Sequence, residues 1–153
     1  QKRLWRQYRE AGDQRMARRK LASAISAYED GMRADLNDYY PSSNLPSLLR
    51  ARGRSSDIER ARFIGALVVE QIERSLKENG RDEWARPTLL GAAFDAGDVD
   101  KAEELADRIE DEGPVRWKLE STISDLRDRA GLAESAGTRE TLEVVDERLQ
   151  ELA

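Results

Sequence analysis

A chain of 153 residues that is 39% apolar and 37% charged, with net charge −5 and neither Cys nor His, has no disulfide framework, thiol nucleophile, imidazole proton shuttle or common zinc ligand set. A hydrolase triad is excluded with them. Few aromatics and few β-branched runs favour helix, no apolar run approaches the roughly 18 residues of a membrane span, and the charged first twenty residues lack the apolar stretch of a secretory signal. The expectation is an all-α, non-enzymatic, cytoplasmic protein without cofactor, metal or membrane partner. One core suffices, since a domain of this length buries about 70% of the surface its unfolded chain exposes. An opening Gln1 without Met is the expected mark of a fragment of a larger protein.

Residues 1–20 carry eight Lys/Arg against two acids: Lys2, Arg3, Arg6, Arg9, Arg15, Arg18, Arg19 and Lys20. That charge has the sign to attract nucleic acid, yet the same residues suit the wet face of a helix. Residues 95–153 carry eighteen Asp/Glu against eight Lys/Arg and would repel phosphate, so no nucleic-acid partner is expected. Periodicity gives about seven helical stretches, closed at Asn37–Asp38, Gly53, Gly80, Gly97–Asp98, Gly113–Pro114 and Gly131. The series reads as stacked helix pairs, with an irregular helical bundle as the alternative.

Residues 1–38 form the first pair. Tyr8, Ala11 and Gly12 fall on its first helix, and Ala24, Tyr28 and Gly31 on its second, at the spacing of a tetratricopeptide repeat. Residues 39–80 are a divergent pair whose long second helix opens at a Ser56–Glu59 capping box and runs to about Leu76. Ile58, Ala61, Ile64, Gly65, Val68, Ile72 and Leu76 stripe that helix. Phe63, Leu67 and Val69 widen the stripe, so burial on more than one side is expected. Residues 81–113 carry the stronger repeat signal in Leu90, Gly91, Phe94, Gly97, Asp98, Lys101, Ala102, Ala106 and Ile109, although Gly91 to Gly97 is one residue shorter than the consensus. Residues 114–153 give a helix opened by Pro114 and striped by Leu119, Ile123, Leu126 and Ala130. A Gly131–Gly137 linker follows, then a last helix with Leu142, Val145, Leu149 and Leu152. That stripe either caps the array or pairs with another chain as a coiled-coil seam. The expected fold is an all-α tetratricopeptide-like helical-repeat array, an α-α superhelix.

Glu103, Glu104 and Asp107, like Glu110, Asp111 and Glu112, lie beside Lys101 and Arg108 and read as a solvated helix face, because catalytic carboxylates need a partly desolvated cleft. Asp95 to Asp100 has the look of a calcium loop but places Ala106 where the terminal Glu belongs, so it reads as a helix–helix turn. Gly91 and Gly97 form no phosphate-cradling motif. Trp84 and Trp117 stand near helix starts, where a Trp locks two helices together, and Tyr39–Tyr40 reads as a turn packed on the next helix. First helices of successive repeats should line any binding face, which makes Asn44, Arg50, Trp84 and Arg86 the candidate partner-binding residues.

Three segments also resemble a named family, the TRAFs-binding region of the mitogen-activated kinase kinase kinases related to apoptosis signal-regulating kinase, together with its bacterial relatives. Asn37, Tyr39, Tyr40 and Asn44 reproduce an Asn-x-Tyr-Tyr-x-x-x-Asn turn. The stretch from Trp84 to Ala102 is similar to a family repeat. Pro114, Val115, Trp117, Leu119, Ser121 and Thr122 resemble a Pro-Val-Trp-Tyr-Leu-Lys-Ser-Thr stretch, with Arg116 displacing the Trp by one place. Pro46 departs from the family and is expected to delay or kink its helix. The likeness spans about residues 24–130 and implies a helical-repeat regulatory module inside a larger signalling protein. The animal kinases bind TRAF adaptors there. The Arg- and Ala-rich composition looks bacterial, so that partner is not carried over. The expected function is non-catalytic holding of a peptide, a helix or an adjacent domain, with self-association that clusters attached effector domains as the alternative.

Overall fold

A computed structural model describes residues 1–80, 82–113, 116–132 and 136–152, with side chains except those of residues 79 and 116–118. Pro114 and the side chains of Arg116 and Trp117 lie outside the described residues. All regular structure among the described residues is helical, in eight helices rather than seven. The chain divides into two compact units, residues 1–67 and 68–153.

The first unit contains α1 (Lys2–Glu10), α2 (Gln14–Ala34), α3 (Tyr39–Arg52) and the first half of α4 (Ser55–Asn79). Gly12 was expected inside a helix. It stands instead at φ +76°, a conformation costly for any residue with a Cβ, and so makes the turn that separates α1 from α2. Asp13 then caps α2 by accepting from the Met16 N–H at 3.0 Å. Ala17, Leu21, Ala24 and Ile25 recur at helical spacing and are buried, as is Trp5 of α1. Their helix packs on both α1 and α3. At its far end Gly31 meets Pro41 so closely that an added Cβ would lie 3.1 Å from the Pro41 Cβ.

Asp38 opens α3 by accepting from the Tyr40 N–H. Pro46 does not delay the helix. It sits buried inside α3 between Leu45 and Leu48, where tertiary packing outweighs the missing N–H donor. The expected Ser56–Glu59 box is not what opens α4. Asp57 does this, accepting from the Arg54 N–H at 3.2 Å and taking both Arg52 Nε at 2.8 Å and Nη2 at 2.6 Å. Beyond it Ala61 and Ile64 are buried. Phe63 is 73% exposed and Leu67 half-buried, so within this unit α4 buries one stripe and not the wider band.

The second unit holds the rest of α4 with α5 (Ala85–Ala96), α6 (Val99–Glu112), α7 (Arg116–Ala130) and α8 (Ala136–Glu151). One core joins Leu90, Ala93 and Phe94 of α5, Ala102, Leu105, Ala106 and Ile109 of α6, Leu119, Ile123 and Leu126 of α7, and Leu142, Val145 and Leu149 of α8. α5 pairs with α6 and α7 with α8, while α5 also packs on α7 and α6 on α8. Asp95 to Asp100 is the α5–α6 turn: Gly97 closes α5 at φ +67°, and Asp98 caps α6 through the Lys101 N–H. Gly137 lies in the first turn of α8 and not in a linker, and Leu152 falls just past its end, 48% exposed.

Two arginines bridge the hairpins. Arg129 of α7 is buried and donates to Asp95 and to the Gly91 carbonyl oxygen at 3.3 Å, both on α5. Arg148 of α8 reaches back to Asp107 and Glu110 of α6.

Candidate partner-binding surface

Asn44 and Arg50 belong to the first unit, Trp84 and Arg86 to the second. Asn44 is buried in α3 with both ends of its amide used. Its Oδ1 accepts from Lys2 Nζ of α1 at 2.8 Å, and its Nδ2 donates to the Tyr40 carbonyl oxygen at 2.9 Å. It therefore ties α1 to α3. Arg50, six residues on, points roughly a third of a turn away around the same helix. Its Nη1 is buried without a hydrogen-bond partner, a donor whose desolvation is uncompensated.

Trp84 immediately precedes α5. Its N–H donates to Asp82 Oδ1 at 3.1 Å, and its carbonyl oxygen accepts from Thr88 Oγ1 at 2.7 Å, so the backbone starts the helix while the ring stays 37% exposed. Arg86 is ion-paired with Glu112 at the end of α6 and fastens the two ends of the α5–α6 hairpin. Two of the four candidates, Asn44 and Arg86, are thus engaged within their own units. Of the other two, Trp84 keeps a partly exposed ring, and Arg50 holds a buried Nη1 without a hydrogen-bond partner.

Other apolar groups are exposed that the sequence did not mark as such. Tyr40, read as packed, is 64% exposed and meets Tyr28 edge-on with ring centroids 6.4 Å apart. Leu36, Phe63 and Val144 also face outward. Trp5, overlooked in the sequence, is the buried tryptophan of α1, and the Arg9 guanidinium lies 4.9 Å from its ring centroid. What separates these residues from the stripes is which face a neighbouring helix covers, and periodicity carries no such signal.

Several carboxylates serve as helix fasteners. Hydrogen bonds from Arg52 hold the Asp57 carboxyl below the usual carboxylate range, against the opposing effect of burial. The ammonium of Lys101 does the same for exposed Glu104. Asp146 on α8 runs the other way: burial pushes its carboxyl up, only partly offset by Arg127 at 3.2 Å and by Gln150. Hydrogen bonds donated to Glu110 and Asp107 raise the Arg148 guanidinium further, keeping it charged at every accessible pH. Among the described residues no group of carboxylates is placed to hold a metal ion, and no helix is long and apolar enough to cross a membrane.

The fold and this surface define an all-helical chain whose polar groups serve mainly to cap and join helices. Compared with protein-family models, curated proteins and solved structures, the chain matches none of them.

Proposed function

We propose that the chain is a non-catalytic helical module that holds a protein partner, whether a peptide, a helix or an adjacent domain of its parent protein. The observation that carries this reading is the packing order in the second unit, first helix on first helix and second on second, as tandem helix–turn–helix repeats stack. The tetratricopeptide-like array belongs to the proposal. So does the regulatory setting implied by the likeness to the TRAFs-binding region. Support comes from Leu90, Gly91, Phe94, Ala102 and Ala106, the positions that match the repeat pattern, which are all buried in this unit. For the self-association alternative the α8 seam is the weaker surface, because Leu142, Val145 and Leu149 are already covered within the chain.

Arg50, half-buried in the first unit, and Trp84, a partly exposed aromatic of the second of the kind that anchors interfaces, are assigned to a partner separately, each within its own unit. Peptides selected from a displayed library on the wild-type chain provide the ligand, and a bound peptide raises the melting temperature by mass action. Arg50→Glu should weaken a peptide held by the first unit, and Trp84→Ala one held by the second, each about tenfold or more without loss of helical circular dichroism. Unchanged affinity in both variants removes both assignments. Failure of every selected peptide to raise the melting temperature removes the function.

A further inference from the structure

We propose that the arginine face at the start of α2 docks on the acidic face of α6 in a second copy of this chain, giving a salt-sensitive, head-to-tail association. Arg15, Arg18 and Arg19 stand at i, i+3 and i+4, so they share one side of α2, opposite the buried Ala17, Leu21 and Ala24. All three are exposed and form no ion pair among the described residues. The arrangement works against the helix that carries it. Like charges at this spacing repel, and the first turn of α2, where the helix dipole disfavours cations, contains no acid. Some other surface arginines are neutralised by nearby carboxylates, among them Arg33 by Glu29 and Asp30, Arg74 by Glu78, and Arg108 by Glu104.

The complement is on the same chain. Asp100, Glu103, Asp107 and Asp111 line one exposed side of α6 over about 16 Å. Asp107 is shared with Arg148, whereas Asp100, Glu103 and Asp111 form no ion pair among the described residues. The wider fields agree with the local ones. Residues 1–67 hold fourteen Lys/Arg and eight Asp/Glu, a net +6, while residues 68–153 hold twelve and twenty-three, a net −11. Two copies therefore repel face to like face, which rules out a symmetric pairing through either helix. Opposite faces attract, so α2 of one copy pairs with α6 of another. Exposed ion pairs are individually weak, so the association is expected to be loose and to depend on concentration. The proposal uses different residues from the peptide-holding surface and stands independently of it.

Sedimentation of the intact chain tests it across a concentration series at about 20 mM and about 500 mM salt, conditions that change the screening length severalfold. The expected result is an average mass that climbs above the 17.4 kDa monomer at low salt and returns to it at high salt. The triple variant Arg15→Glu, Arg18→Glu, Arg19→Glu should remain monomeric, as should Asp100→Lys, Glu103→Lys, Asp111→Lys. Mixing the two should restore association, because each variant is then complementary to the other at both faces. A neutral Arg→Gln triple guards against misfolding and should also lose the self-association. A monomeric wild type at low salt overturns the proposal, as does association that survives either triple, or a mixture that stays monomeric. Tight, salt-sensitive capture of a single-stranded oligonucleotide by a monomeric chain would assign the face to phosphate instead and overturn it too.

Discussion

Replacing Arg129 by Met should destabilise the second unit by about 3–5 kcal/mol. The guanidinium is buried between α7 and α5, where it donates to the Asp95 carboxylate and the Gly91 carbonyl oxygen. Met fills a similar volume but donates nothing, so the buried Asp95 loses the charge that compensates it, and a carboxylate stranded in that way accounts for most of the loss. The Gly91 carbonyl adds about 1 kcal/mol, which the added apolar contact of Met offsets. Against a typical total stability of about 5–15 kcal/mol, the unit would be left marginal. Asp95→Leu combined with Arg129→Met removes both charges together and should return to within about 1 kcal/mol of the wild type. Urea denaturation of the wild type, both single variants and the double variant closes the cycle. A loss below about 1 kcal/mol for Arg129→Met, or a double variant as unstable as the sum of the singles, would refute the reasoning by showing that the pair is effectively solvated.

Gly65→Ala should stabilise α4 by about 0.5–1 kcal/mol, since an added Cβ meets nothing within 4 Å, whereas Gly91→Ala places that atom 3.2 Å from Arg129 Cζ and should cost about 1–2 kcal/mol; calorimetric melting temperatures moving in the same direction would contradict this. Asp57→Asn should cost about 1.5–3 kcal/mol at neutral pH. Because the folded-state pKa of Asp57 is depressed, that contribution is present above the unfolded carboxylate value of about 3.9 and is lost as pH falls through the folded value, so denaturation midpoints of variant and wild type should converge in acid. Asp146 has the opposite sign. Its raised pKa means that its contribution falls as pH rises through the folded value, so Asp146→Asn should match the wild type in acid and gain about 0.5–1 kcal/mol at neutral pH; a less stable variant there would show that pairing to Arg127 outweighs burial.

Local signals in the sequence transferred well to the structure. The stripe through Leu119, Ile123 and Leu126 and the one through Leu142, Val145 and Leu149 are both buried, and Gly53, Gly80, Gly97 and Gly113 all follow helix ends. The failures arose where a distant segment decides the outcome. Asn44 reads as a surface amide until Lys2, 42 residues earlier, takes its oxygen. Arg86 reads as free until Glu112 closes on it from the next helix. Phe63 reads as core because it is apolar, yet burial depends on which side of α4 is covered. Repeat spacing carried Gly12 into a helix, although its positive φ makes a turn there. Pro46 shows the converse, a local signal for interruption overruled by the burial of its neighbours.

The bridges made by Arg129 and Arg148 have a consequence for how disturbance travels through α5 to α8. Each helix of the later hairpin grips the corresponding helix of the earlier one with a guanidinium, so separating the hairpins would expose charged contacts on both sides. In nearest-neighbour terms the interface between the hairpins carries a large share of the free energy, and neither hairpin has much independent stability. Their amides should then exchange with solvent through shared opening events rather than helix by helix. A molecule that tightens one hairpin will thereby quiet the motions of the other, carrying news of its arrival across the unit without any change of shape.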